Sequence, residues 1–239
     1  MKADIHIHTK FSSDAVSSPE EIVDSAIEKG VGCICITDHG QIKGAIAAMK
    51  YGYDKNILIV PGIEILSKSG DILGVGVKKI IPNGLSAEET IKGIRKQGGI
   101  AIVPHPFDRP FMGFSGGKKI IKAVNPDAVE VFNASVIFRS SNRKALNFVR
   151  ENNFCFTAGS DAHRKDYVGR GYIDISGSVK SEKDLINAIF EKTAKPKGKH
   201  LSVIEILKNG SNANVREMVR YCRFRRKNKN SERAMCCGK

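Results

Sequence analysis

The chain has 239 residues, a formal net charge of +14, 41% hydrophobic and 27% charged residues, and six cysteines. That length suits one large domain or two small ones, with a core that needs no disulfide framework. No apolar run approaches the ~18 residues that span a bilayer, and the opening MKADIHIHTKF lacks the apolar stretch of a secretory signal, so extracellular, membrane-spanning and collagen-like readings are poor.

Taken in chain order, short β-branched runs alternate with amphipathic stretches. The strand candidates are 3–8, 31–37, 57–65, 72–77, 100–104, 128–132, 154–158 and 172–175, most rich in Ile and Val and bounded by Gly, Pro, Asn or Asp. Between them, Ser18-Pro19-Glu20-Glu21 opens a helix with an N-cap serine and a proline at the first position, and Gly30 closes it. Ser86 and Glu89 have capping-box spacing, and Ser181-Glu182-Lys183-Asp184 opens a third helix running to about Lys192. Strand–helix–strand alternation predicts a parallel sheet covered by helices, either a barrel or an open doubly wound sheet. Cys33 and Cys35 alternate with Ile34 and Ile36, Cys155 lies in another apolar run, and no CxxC pair occurs. Buried, reduced thiols of a cytoplasmic protein are expected rather than a zinc knuckle.

The break in this pattern falls at Lys195-Pro196-Lys197-Gly198-Lys199. It divides a domain of residues 1–195 from an extension of residues 196–239, partly helical or disordered, with one helical stretch over 201–209. Within the extension, Arg216, Arg220, Arg223, Arg225, Arg226, Lys227, Lys229 and Arg233 are opposed by Glu217 and Glu232 alone. Such a block can hold a polyanion by releasing its counterions, or can be a solvated tail.

The chain has six histidines, and five share one kind of place: the C-terminal end of a predicted strand or the residues just after it. His6 and His8 close the first strand, Asp38-His39 follows the second, His105 the fifth, and Asp161 and His163 the seventh. Glu64 ends the third, and Asp14 lies six residues past His8. In a parallel α/β protein these strand ends meet at one mouth, where ligands bind. Residues two apart on a strand face the same way, so His6 and His8 can grip one ion. Imidazole mixed with carboxylate suits Zn²⁺, Mn²⁺ or Fe²⁺ rather than Ca²⁺, and a carboxylate such as Glu64 can bridge two ions of a phosphoester hydrolase. His200 stands outside the pattern and is expected at the surface.

Six segments in order, Asp4-Ile5-His6-Ile7-His8-Thr9, Ser12-Ser13-Asp14, Thr37-Asp38-His39-Gly40, Gly62-Ile63-Glu64-Ile65, Pro104-His105-Pro106 and Gly159-Ser160-Asp161-Ala162-His163, resemble the motifs of the PHP (polymerase and histidinol phosphatase) family. The resemblance covers roughly residues 1–195 and is nearest to the stand-alone phosphoesterases. It implies an α/β fold, a distorted seven-stranded (β/α) barrel followed by the short basic extension. It also implies two or three divalent ions (Mn²⁺, Zn²⁺ or Fe²⁺). By position, His6, His8, Glu64 and Asp161 resemble the ligands of the first, Glu64 and His105 those of the second, and Asp14, His39 and His163 those of the third. Asp71 stands where many members have a histidine, so it substitutes as an oxygen ligand or leaves the second site weak. Asn133 would line the pocket. Asp161, His163 and a phosphate-binding Arg170 are the expected catalytic residues, with Arg109, Arg139 and Arg143 as further cation candidates. The implied activity is hydrolysis of nucleotide or short oligonucleotide phosphate esters by water activated on the ions. The alternatives are a histidinol-phosphate-type metabolite phosphatase and a non-catalytic RNA-binding protein of the ribonuclease P type. The expected partners are the phosphate ester and, through the basic tail, nucleic acid, with no membrane.

Overall fold

A computed structural model describes residues 1–108, 114–115 and 117–209; the basic block at 216–233 lies outside the described residues. The first half runs β1 (Lys2–Ile7), α1 (Pro19–Glu28), β2 (Cys33–Ile36), α2 (Lys43–Tyr51), β3 (Leu58–Ser67), β4 (Gly70–Val75), α3 (Ala87–Lys96) and β5 (Ile100–Val103). The second runs α4 (Gly117–Val124), β6 (Ala128–Asn133), α5 (Arg139–Asn152), β7 (Cys155–Gly159), a 3₁₀ turn (Lys165–Tyr167), β8 (Gly171–Ile175), α6 (Glu182–Phe190), β9 (Ala194–Gly198) and α7 (Val203–Asn209). Among the described residues no helix is long and apolar enough to cross a membrane.

The helix starts follow local chemistry. Ser18 and Ser86 each accept from the N3 backbone amide while Glu21 and Glu89 reach back, two complete capping boxes. The strands form one sheet of nine in the order β7-β6-β5-β4-β3-β2-β1-β8-β9. This corrects two expectations, the count of seven strands and the all-parallel sheet. β1–β2–β3 and β5–β6–β7 are parallel, but β4 is antiparallel to both its neighbours, and β8 and β9 are antiparallel additions. The reason lies in the links: Lys68-Ser69 can close a hairpin between β3 and β4 but cannot make a parallel crossover.

The sheet curls into a nearly closed barrel because β1 has two neighbours on one edge. Its N-terminal half pairs with β8 through Lys2 and Ala3. Its C-terminal end meets the residues after β7, where Asp161 N donates to His6 O at 2.8 Å and His8 N to Ala162 O at 2.9 Å. Alternation then sorts the side chains. Ile5, Cys33, Cys35, Leu73, Ile102 and Ala158 fill one buried cluster, while Ile7, Ile34 and Ile36 pack against α1 and α2 in another. Cys33 and Cys35 are buried free thiols and Cys155 is half-buried. The sequence boundary at 195 falls inside β9, all five residues of which pair with β8.

Candidate metal centre

The eight ligand-type residues singled out by motif converge, seven of them at or past the C-terminal ends of β1, β2, β5 and β7 and Glu64 from within β3, which runs on to Ser67. The Nε2 atoms of His6 and His8 lie 3.1 Å apart. Both face Glu64 Oε2, at 3.5 and 3.3 Å, and Asp161 Oδ1, at 3.5 and 3.3 Å. Glu64 also meets His39 Nδ1 at 3.0 Å and, through Oε1, His105 Nε2 at 3.6 Å. On the outer flank Asp14 Oδ2 faces His39 Nε2 at 3.0 Å and His163 Nε2 at 3.5 Å. The His8 ring stacks between His39 and His163, with both centroid distances 4.4 Å.

Backbone geometry delivers these groups. His39 and Glu64 form a parallel bridge in which Gly40 N donates to Glu64 O at 2.7 Å, with Gly40 at φ +65°. His105 and Asp161 take φ +29° and +53°, a left-handed region that non-glycine residues enter at a cost of about 1–3 kcal/mol and that clusters at functional sites. Gly159 is required beside them, since a Cβ there would run into His6 Cβ and the Glu130 carboxylate.

Among the supporting residues, Asn133 was expected to line the pocket and Ser12 lies in a motif, whereas Glu130 and Asn209 escaped the sequence reading. Glu130 is buried on β6; its Oε1 lies 3.2 Å from His6 Nδ1, and its Oε2 accepts from His105 N at 2.8 Å and Asn133 Nδ2 at 3.0 Å. Asn133 Nδ2 also lies 3.2 Å from Asp161 Oδ2. Ser12 Oγ donates to Asp38 at 2.7 Å, accepts from His39 N at 3.0 Å, and stands 3.1 Å from His8 Nδ1. A carboxylate or hydroxyl on the far ring nitrogen fixes the ring and its tautomer, leaving Nε2 for an ion. Asn209, at the end of α7, accepts from His163 N at 2.9 Å.

The cluster's charges are mutually dependent. Burial alone would raise the carboxyls of Asp14, Glu64 and Asp161, but the surrounding imidazoles hold all three well below the usual range. Burial opposes charge on His105 and His163, yet Glu64 and Asp161 push the first up to about 10, and Asp14 pushes the second up to about 9. Asp14 Oδ1 is nevertheless buried without a hydrogen-bond partner, and Glu64 Oε2 and His163 Nε2 meet only other groups of the cluster. The ligand atoms of His6, His8 and Glu64, of His6, His105 and Asp161, and of His8, His39 and His163 lie within 4.8 Å of one another in each group, a donor set that fits divalent ions.

The remaining candidates lie elsewhere. Asp71 is buried and shares the hairpin face of Glu64, since Glu64 pairs with Leu73 and Leu66 with Asp71, but it belongs to none of the convergent groups found among the described residues. Arg170 Nη2 donates to both Glu205 oxygens, at 3.0 and 3.1 Å, and lines a groove of about 620 Å³ with Phe132, Tyr172, Lys197 and Lys199. Arg139 and Arg143 are exposed on α5, and Arg109 lies outside the described residues. His200, expected at the surface, is half-buried with its ring centroid 4.8 Å from that of Phe132.

A family model described as PHP-associated matches residues 139–193. The chain is 40% identical over 159 residues to an uncharacterised protein of Methanocaldococcus jannaschii, covering 62% of this chain and 91% of that one. It is 27% identical over 203 residues to a probable phosphatase of Caldicellulosiruptor bescii, covering 71% and 83%. Its fold resembles a two-domain protein of Bacteroides vulgatus containing a predicted PHP-like metal-dependent phosphoesterase, with TM-score 0.69 and 17% identity over 93% of this chain and 70% of that one.

Proposed function

This chain belongs to the PHP family of metal-dependent phosphoesterases, and from that premise we propose that it hydrolyses phosphate esters of nucleotides or short oligonucleotides. The observation that carries the reading is the convergence of buried imidazoles and carboxylates into groups whose ligand atoms lie within 4.8 Å of one another. His6, His8, Glu64 and Asp161 are assigned to one ion, Glu64 and His105 to a second, and Asp14, His39 and His163 to a third, each Mn²⁺, Zn²⁺ or Fe²⁺. Divalent ions held there supply Lewis acidity towards phosphoryl oxygens and lower the pKa of water.

The chain's own residues do the positioning. Glu64 reaches the ligands of all three assigned sites and so sets their spacing. Glu130 and Ser12 lock the His6 and His8 rings. Asp161 and His163 carry the catalytic assignment: with Nδ1 held 3.1 Å from the Asp161 carbonyl, His163 presents Nε2 to the cluster, where it would hold the outer ion. The charge of +14 favours a polyanionic substrate over a small metabolite, and the basic block at 216–233 is the assigned contact for a longer nucleic acid.

A metabolite monoesterase is the second reading, favoured by the likeness to a probable phosphatase. Apo-protein supplied with Mn²⁺ or Zn²⁺ and assayed for phosphate release from mononucleotides and histidinol phosphate, and for chain cleavage of short oligonucleotides, separates the two. Metal-dependent turnover of the nucleotide substrates is expected. Turnover confined to histidinol phosphate assigns the monoesterase, and no metal-dependent turnover of any ester contradicts both.

A further inference from the structure

Helix α7 lies beyond the last motif, yet its final residue enters the metal centre. Asn209 is 6% exposed. Its Oδ1 accepts from His163 N at 2.9 Å, and its Nδ2 donates to Asp161 O at 3.1 Å and Ser135 Oγ at 3.0 Å. Ser135 Oγ in turn lies 2.9 and 3.1 Å from the carbonyls of Ser160 and Asp161. A buried amide must spend its donors and acceptor on partners, and this one spends them on the loop that holds Asp161 at φ +53° and carries His163.

The helix is seated by its sequence. Ser202 and Glu205 form a reciprocal cap, Ser202 N to Glu205 Oε2 at 2.7 Å and Glu205 N to Ser202 Oγ at 3.3 Å. The same Glu205 takes the Arg170 guanidinium, Ile206 packs against the cluster of Ile7, Ile34 and Ile36, and Leu201 N donates to Ala134 O at 2.9 Å. Arg170 thereby anchors α7 to the barrel.

We infer that Asn209 is a positioning residue for the outer ion site of Asp14, His39 and His163, held in place by the Arg170–Glu205 pair, so that residues 199–209 complete the metal centre. The inference rests on the metal assignment above. Its effect is directional. Asp161 is tied independently, its main chain by Asp161 N to His6 O and its carboxylate by Asn133 Nδ2, whereas the main-chain amide of His163 donates to Asn209. Loss of Asn209 therefore falls on the site that uses the His163 ring.

The test is a calorimetric titration of the full-length apo-protein with Mn²⁺, repeated with Zn²⁺, for wild type, Asn209→Ala, Asn209→Asp and His163→Ala. Asn209→Ala should weaken one class of site by about 10–100-fold, as loss of an outer-shell partner does, and it should be the class that His163→Ala removes. Asn209→Asp keeps the acceptor for His163 N–H and should fall between Asn209→Ala and wild type. An unchanged isotherm, or parallel weakening of every class, overturns the assignment. Should Asn209→Ala fail to fold, Glu205→Gln loosens the same helix from its surface and should weaken the same class to a smaller extent; no change there also overturns it. A wild-type protein that takes up neither ion overturns the metal reading itself, and is recognised by that result alone.

Discussion

The two flanks of the histidine cluster are built differently. The inner flank, His6, Glu64, His105 and Asp161, sits on strands or just past them, and a buried carboxylate, Glu130, ties two of its members together. The outer flank, Asp14, His39 and His163, stands on loops and is held by single hydroxyls and amides, Ser12 behind His39 and Asn209 behind His163. Sheet hydrogen bonding makes His6 and Glu64 of the inner set rigid with the fold, while His163 of the outer set depends on a segment added after the barrel. Ligands on the two flanks should therefore respond differently to perturbation.

The largest effect should come from the side chains shared between flanks. His8→Ala and Asp161→Ala each remove a group facing Glu64 or His8 at the centre. They should lower turnover by about 10³-fold or more, since Lewis-acid stabilisation is worth several kcal/mol and 1.36 kcal/mol is tenfold. Circular dichroism should stay unchanged, because ligands at a barrel mouth are not its packing layers; wild-type turnover by either folded variant contradicts the assignment. Glu130→Gln comes next. It should cost about 10–100-fold in metal affinity on the inner flank while sparing the class of site sensitive to Asn209, as read by the same titrations.

A pH profile of apo-protein stability sharpens the comparison further. His105 on the inner flank is pushed up to about 10, and His163 on the outer up to about 9, by the carboxylates around them, from an ordinary 6.5. Their contribution is fully present below about 6.5 and is lost as pH rises through 9 and then 10. Melting temperature of the apo-protein should fall over that window, and bound ions, which take neutral imidazoles, should remove the fall. An apo-protein whose melting temperature rises over the same window would show that these imidazoles are not charged in the fold. The smallest effect should come from deleting the basic block at 216–233. Mononucleotide turnover should barely change, while the dependence of oligonucleotide affinity on salt should flatten by about 0.7 in log–log slope for each phosphate released; equal slopes leave the block as a solvated tail.

Much of the inner flank was legible because its signal is local: a His-x-His at a strand end, or an Asp-x-His after one, carries its geometry in its spacing. The eight predicted strands fall within two or three residues of β1 to β8 at each end. What was missed had no local signal. Glu130 alternates with Val129 and Val131 as a solvent-facing residue of a half-buried strand would, and only barrel closure puts it inside. β9 reads as a linker because its Ala-Lys-Pro-Lys-Gly is the composition that edge strands tolerate. α2 and α5 start at Ile42 and Phe138 with no side-chain cap, so neither announced itself. Asn209 is one polar residue in a short helix, and its role exists only through contacts with residues 135, 161 and 163.

The cluster is proposed to hold divalent ions on two unequal flanks. Anomalous diffraction from crystals of the Mn²⁺-loaded protein and of its Asn209→Ala variant tests it directly. Density bounded by His6, His8, Glu64 and Asp161 is expected in both, and density bounded by Asp14, His39 and His163 at full occupancy in the wild type and reduced in the variant. Ions bound away from these residues in an active crystal, or equal outer-site occupancy in the two proteins, would contradict it.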